Sequence, residues 1–95
     1  MMISERIRLL RESAGYSQSQ LAKKLDVTRS SVNAWEMGLS TPTIQYVVAL
    51  SKLFHISTDY LLGVEATLSI QLDTYSSEER EVLFSLIRYF DSQRK

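Results

Sequence analysis

The stretch Ser17-Gln18-Ser19-Gln20-Leu21-Ala22-Lys23-Lys24-Leu25-Asp26-Val27-Thr28-Arg29-Ser30-Ser31-Val32-Asn33-Ala34-Trp35-Glu36-Met37-Gly38 reads as two short helices joined by a tight turn. Ser17 and Gln20 have the spacing of a capping box, in which each side chain satisfies a backbone N–H of the other, so the first helix opens at Gln18. Leu21, Ala22 and Leu25 give that helix an apolar face, while Lys23 and Lys24 face water. Leu25-Asp26-Val27 is the turn. Asp tolerates the left-handed backbone better than most residues, and Val27 is an apolar plug between the helices. Thr28 caps the second helix and Gly38 closes it. Val32 points inward, with Ser31, Trp35 and Glu36 on the same side. The leading outward positions carry Arg29, Ser30 and Asn33, all able to hydrogen-bond.

Working outward, residues 4–14 have helical spacing, with Ile3, Ile7, Leu10 and Ala14 on one stripe and Leu9 beside it. Ser4 is the expected N-cap, and Gly15 ends the helix. Leu39 to Pro42 is a loop, because Pro42 disfavours helix at Thr41. Thr43 is placed to cap a fourth helix with a broad apolar face: Ile44, Val47, Val48, Leu50, Leu53 and Phe54. Gln45, Tyr46 and Lys52 are expected outside. Ser57 caps a short fifth helix from Thr58 to Leu62, ended by Gly63.

The character then changes. Ala66, Leu68, Ile70 and Leu72 alternate with polar residues, the period of a strand or an extended arm. Ser76 and Glu79 form a second capping box, opening a helix from Ser77 to about Ser92. Val82, Leu83, Leu86, Ile87, Tyr89 and Phe90 make a stripe too wide and apolar to face water. The expected fold class is all-α: five helices in residues 1–63, then an extended arm and amphipathic helix in 64–95.

Composition narrows the function classes. The 95 residues suit one small domain with an appendage, and an apolar content of 44% argues against disorder. There is no cysteine, which excludes disulfides and thiolate metal sites. His55 is the lone histidine, with no acidic cluster beside it, so no metal and no cofactor is expected. His55, Ser57 and Asp59 have triad chemistry in name, but capping explains Ser57 and the helix dipole explains Asp59. No constellation supports an enzyme. The start lacks a signal-peptide core and no apolar run reaches bilayer length, so a soluble cytoplasmic protein is expected, with no membrane partner. Net charge is zero, yet residues 1–63 carry seven Lys/Arg against five Asp/Glu, and 64–95 carry four against six. The basic half is the half with the paired short helices.

Taken in order, several stretches resemble the phage-repressor, or Cro and XRE type, helix-turn-helix family: Ile7-Arg8-Leu9-Leu10-Arg11-Glu12, Tyr16 to Ala22, Val27-Thr28, Val32 to Gly38, Pro42-Thr43 and Ile56 to Gly63. The resemblance covers about residues 3–63. It implies a five-helix DNA-binding domain and transcriptional regulation, most often as a dimer. It places Arg29, Ser30 and Ala34 at base-facing positions and Asn33 beside them. It puts Gln18, Thr28 and the loop residues Ser40, Thr41 and Thr43 against the DNA backbone. It pairs Arg11 with Glu36 across helices one and three. Two residues depart from the pattern: Asp26 stands where Gly is usual, and Ala34 offers only a methyl group, suited to thymine.

The expected function is therefore a sequence-specific regulator, acting as a repressor on double-stranded DNA. Arg29 can take the O6 and N7 of guanine, although a helix-start arginine can also be a solvated charge or a phosphate contact. Residues Leu68, Ile70, Val82, Leu83, Leu86, Ile87 and Phe90 are expected to form a homodimer that reads an inverted-repeat operator. The competing reading of that stripe is fold-back onto the same chain. The competing function is a protein-interaction module, an antitoxin or antagonist that keeps the fold and binds a partner protein through its last helix.

Overall fold

The computed structural model describes residues 2–64 and 68–94. Its helices run in the order α1 (Ile3–Ser13), α2 (Gln18–Leu25), α3 (Arg29–Glu36), α4 (Ile44–Phe54), α5 (Thr58–Leu62) and α6 (Ser77–Ser92). Among the described residues there is no strand. The fold is all-α, as the periodicities imply.

Local chemistry sets most boundaries. Both capping boxes form: Ser17 Oγ accepts from the Gln20 N–H at 3.0 Å while Gln20 accepts from Ser17 N–H at 2.7 Å, and Ser76 with Glu79 repeats the exchange at 3.1 and 2.8 Å. The Ser76 backbone N–H, helped by its hydroxyl, holds the Glu79 carboxyl below the usual carboxylate range. Asp26 ends α2 with φ 57°, the left-handed turn that the sequence requires there. His55 ends α4 in the same conformation, with φ 57°.

Ser4 is not the cap of α1. The cap lies two residues earlier, at Met2, whose backbone is extended and which makes no side-chain cap bond, because the Arg6 N–H reaches the Met2 carbonyl at 3.1 Å. That earlier start brings Ile3 against the core.

The core gathers Ile7, Leu21, Ala22, Val32, Trp35, Val47, Leu50, Ile56, Tyr60 and Leu61 from all five leading helices and the turn between α4 and α5. Here α4 is rotated from its expected setting. Ile44 is 82% exposed and Val48 lies at the surface, whereas Tyr46 turns inward. Trp35 meets Tyr46 at 5.6 Å between ring centroids, and packing that aromatic pair compensates for leaving Ile44 and Val48 at the surface. Arg6 is also buried, its guanidinium 4.1 Å from the Tyr60 ring centroid and donating to the Tyr60 carbonyl. It ties α1 to α5 through its charge rather than facing water.

The arm has no regular secondary structure over residues 68–72 and pairs with no strand among the described residues; Ala66 lies outside them. What holds it is a cluster at the end of α4. The Gln71 N–H donates to the His55 carbonyl at 2.8 Å, Thr74 Oγ1 lies 3.0 Å from His55 Nδ1, and the Tyr75 ring packs on the imidazole at 4.4 Å. Arg80 then donates to the Leu72 carbonyl at 3.1 Å, setting α6 against the arm.

No residue of α6 is buried. Its apolar stripe has two parts. Leu83 and Ile87 share a groove with Leu68, Ile70, Leu72 and Tyr75 of the same chain. Val82, Leu86 and Phe90, spaced i, i+4, i+8, are 61%, 48% and 54% exposed, and Ile87 at 50% is as open as they are, so the groove covers it only in part.

Candidate nucleic-acid interface

Two helices and a loop build the face on which the polar candidates meet. Helix α3 lies across α2, and Val32 and Trp35 sink its inner side into the core. That leaves Arg29, Ser30 and Asn33 exposed on its outer side, with Ala34 half-buried at the edge. Thr28 sits at the N-cap, where its hydroxyl accepts from the Ser31 N–H at 3.1 Å and lies 3.0 Å from Ser31 Oγ. Replacing Thr28 by Ala removes that acceptor. The expected cost is about 1 kcal/mol in a denaturant melt, which is the ordinary value of an N-cap.

The loop after α3 folds back on its last turn. The Leu39 and Ser40 N–H groups both reach the Ala34 carbonyl, at 2.9 and 3.3 Å, and Pro42 is buried behind them. Ser40, Thr41 and Thr43 are consequently exposed beside the end of α3. Thr43 precedes α4 with extended backbone, and its hydroxyl makes no cap bond.

Below the face lies a fixed charge pair. Arg11 Nε meets Glu36 Oε2 at 2.6 Å and its Nη2 meets Oε1 at 3.0 Å, while Nη1 donates to the Tyr16 carbonyl at 2.8 Å. The side chains are 12% and 4% exposed. The bond from Glu36 raises the Arg11 pKa further above its already high value, despite the opposing effect of burial. This bidentate pair locks the C-terminal turn of α3 to α1.

The resemblance places Gln18 against the DNA backbone, but its side chain turns into this assembly. Its Nε2 donates to Glu36 Oε1 and to Asn33 Oδ1, each at 3.2 Å. Asn33 and Glu36 are three apart on α3, so their shared face is visible in the sequence. That α2 presents Gln18 opposite both depends on how the helices cross. Among the described residues no cluster of His, Asp or Glu could hold a metal ion, and no helix is long and apolar enough to cross a membrane.

Comparison with known proteins fits this geometry. Residues 7–61 match the family model described as helix-turn-helix. The chain is 35% identical over 63 residues to the HTH-type transcriptional regulator ImmR of Bacillus subtilis (strain 168), covering 66% of this chain and 50% of that protein. Among solved structures, the P22 c2 repressor in complex with a synthetic operator is similar with a TM-score of 0.64 and 32% identity, over 68% of this chain and 98% of that one. The SinR protein/SinI protein complex is similar with a TM-score of 0.63 and 31% identity, over 90% of this chain and 79% of that one. The chain spans about half the length of the curated relatives it matches, as the 50% share of ImmR illustrates.

Proposed function

This chain belongs to the helix-turn-helix family, and we propose that it is a sequence-specific DNA-binding regulator of transcription, a repressor that works in the cytoplasm as a homodimer. The observation that carries this reading is the exposed polar start of α3, with Arg29, Ser30 and Asn33 outward on a helix whose far side is core and whose end is pinned by a buried ion pair. A rigid helix offering hydrogen-bonding side chains at its N-terminal end fits the major groove. Arg29, Ser30, Asn33 and Ala34 face base edges. Thr28, Ser40, Thr41 and Thr43 hold phosphates. Gln18 contributes through its main-chain N–H at the start of α2, since its amide protons are taken.

One such unit makes too few contacts for tight, specific binding, and two copies on an inverted repeat supply the rest. Residues 1–63 are the reading unit and 64–95 the pairing element, with Val82, Leu86 and Phe90 facing the second copy. Leu68, Ile70, Leu83 and Ile87 shape the groove behind them. The likeness to the P22 c2 repressor on its operator supports the DNA reading. A second reading, a module that binds a partner protein through α6, draws on the same exposed stripe and on the likeness to the SinR protein/SinI protein complex.

Selection of bound duplexes from a random pool, followed by motif finding, separates the two. An enriched inverted repeat whose binding weakens steeply with salt supports the regulator; no motif at low salt overturns it. Arg29→Ala is expected to relax preference at one base position in each half-site by about 1–3 kcal/mol, measured by competition between site variants. An equal loss on every sequence would make Arg29 a phosphate contact instead.

A further inference from the structure

The bonds around Gln18 have a direction that the sequence does not reveal. Glu36 is a carboxylate paired with Arg11, and a carboxylate only accepts. Gln18 must therefore turn its amino group toward Glu36, 3.2 Å away. An amide nitrogen has two protons. The second goes to Asn33, 3.2 Å away, so the group of Asn33 that faces Gln18 must be its oxygen. With Oδ1 directed at α2, the amino group of Asn33 is the part left for whatever the exposed face meets. The chain of bonds is polar from the buried carboxylate to the surface: Glu36 accepts, Gln18 donates twice, and Asn33 accepts inside and donates outside.

We propose that Glu36 and Gln18 are positioning residues that make Asn33 a one-way hydrogen-bond donor, so that it selects the acceptor pair of guanine, N7 and O6. The inference rests on the DNA-reading function proposed above and names the base class read at one position. An unconstrained asparagine pairs with adenine, using its oxygen for N6–H and its nitrogen for N7. Here the oxygen is turned toward Gln18 of α2, so although it keeps a second lone pair, it cannot lie beside the amino group in the fork that faces adenine. Adenine loses one of its two bonds, and cytosine, which offers an amino donor, is met by another donor. Guanine alone presents two acceptors to the Asn33 amino group. The selectivity does not come from Asn33 itself; it is set by the carboxylate two bonds behind it.

The test compares duplex selection by three full-length proteins. The unaltered chain is expected to require guanine at one position of each half-site that changes when Asn33 changes. Asn33→Asp still accepts from Gln18 but presents an acceptor outward, and is expected to move the preference at that position to cytosine, whose N4 donates. Gln18→Ala frees the amide to rotate. It is expected to lower the guanine-over-adenine ratio at that position by about fivefold or more while other positions keep theirs, a change that a merely destabilised domain would not produce. In the free protein, the Gln18 side-chain amide protons are expected to exchange slowly with solvent by NMR, and Glu36→Gln to speed that exchange. If the unaltered chain yields no motif, the DNA reading itself fails and this inference with it. If it yields a motif that Asn33→Asp leaves unchanged at every position, Asn33 touches phosphate and only this inference is overturned. A guanine ratio left intact by Gln18→Ala overturns it as well.

Discussion

Replacing Glu36 by Ala is expected to destabilise the domain by about 3–5 kcal/mol in urea or guanidinium unfolding. The size follows from what is left behind. Arg11 loses both of its short contacts to the carboxylate while its side chain stays 12% exposed, keeping only the Tyr16 carbonyl and Glu12 at 3.7 Å, and a buried cation stripped of its main partner is far more costly than a missing surface pair. Domains of this size hold roughly 5–15 kcal/mol in total, so the variant is expected to lose a large share of its stability. The double substitution Arg11→Met with Glu36→Leu removes both charges and is expected to recover most of the loss. A loss under about 1 kcal/mol for Glu36→Ala would mean that water screens the pair as it does at an open surface, contrary to the 4% exposure of the Glu36 side chain.

The second large effect concerns α6. Val82→Glu together with Leu86→Glu is expected to convert a dimer into a monomer in sedimentation and to lower affinity for a full inverted repeat by about a hundredfold or more, because the second half-site is then no longer bound as an intramolecular step. The thermal unfolding of α1–α5 is expected to change little, since Val82 and Leu86 are 61% and 48% exposed and lie outside the core cluster. The same charges at Leu83 and Ile87 are expected to act differently. Those side chains share a groove with Leu68, Ile70 and Tyr75, so the arm is expected to loosen from α6. A double variant that stays dimeric would place the pairing surface elsewhere and would leave the exposed stripe for another partner.

The features legible in the sequence are mostly those that are local in the chain. A capping box closes within four residues, so Ser17 with Gln20 and Ser76 with Glu79 announce α2 and α6 without reference to the rest of the fold. The left-handed turn at Asp26 and the cap at Thr28 are of the same kind. The Arg11–Glu36 pair spans 25 residues and is accessible only through the family resemblance, because no local rule joins α1 to α3. Contacts set by how helices cross are not legible. Tyr46 looks like a surface residue until Trp35 is placed beside it, and nothing local in the chain brings Arg6 to Tyr60 of α5. The resemblance puts Gln18 on the correct face, but the direction of its amide depends on two residues of another helix. The split of the α6 stripe follows from the arm, whose course is set by the His55 cluster.

Reading of DNA by α3 from the major groove is tested most directly by methylation interference on a selected duplex, because dimethyl sulfate marks guanine N7 in the major groove and adenine N3 in the minor groove. The expected result is that N7 methylation of guanines in two half-sites, about 34 Å apart centre to centre, blocks binding, while N3 methylation of adenines there does not. Interference confined to adenine N3, or none at any base while binding persists, would contradict major-groove reading by α3.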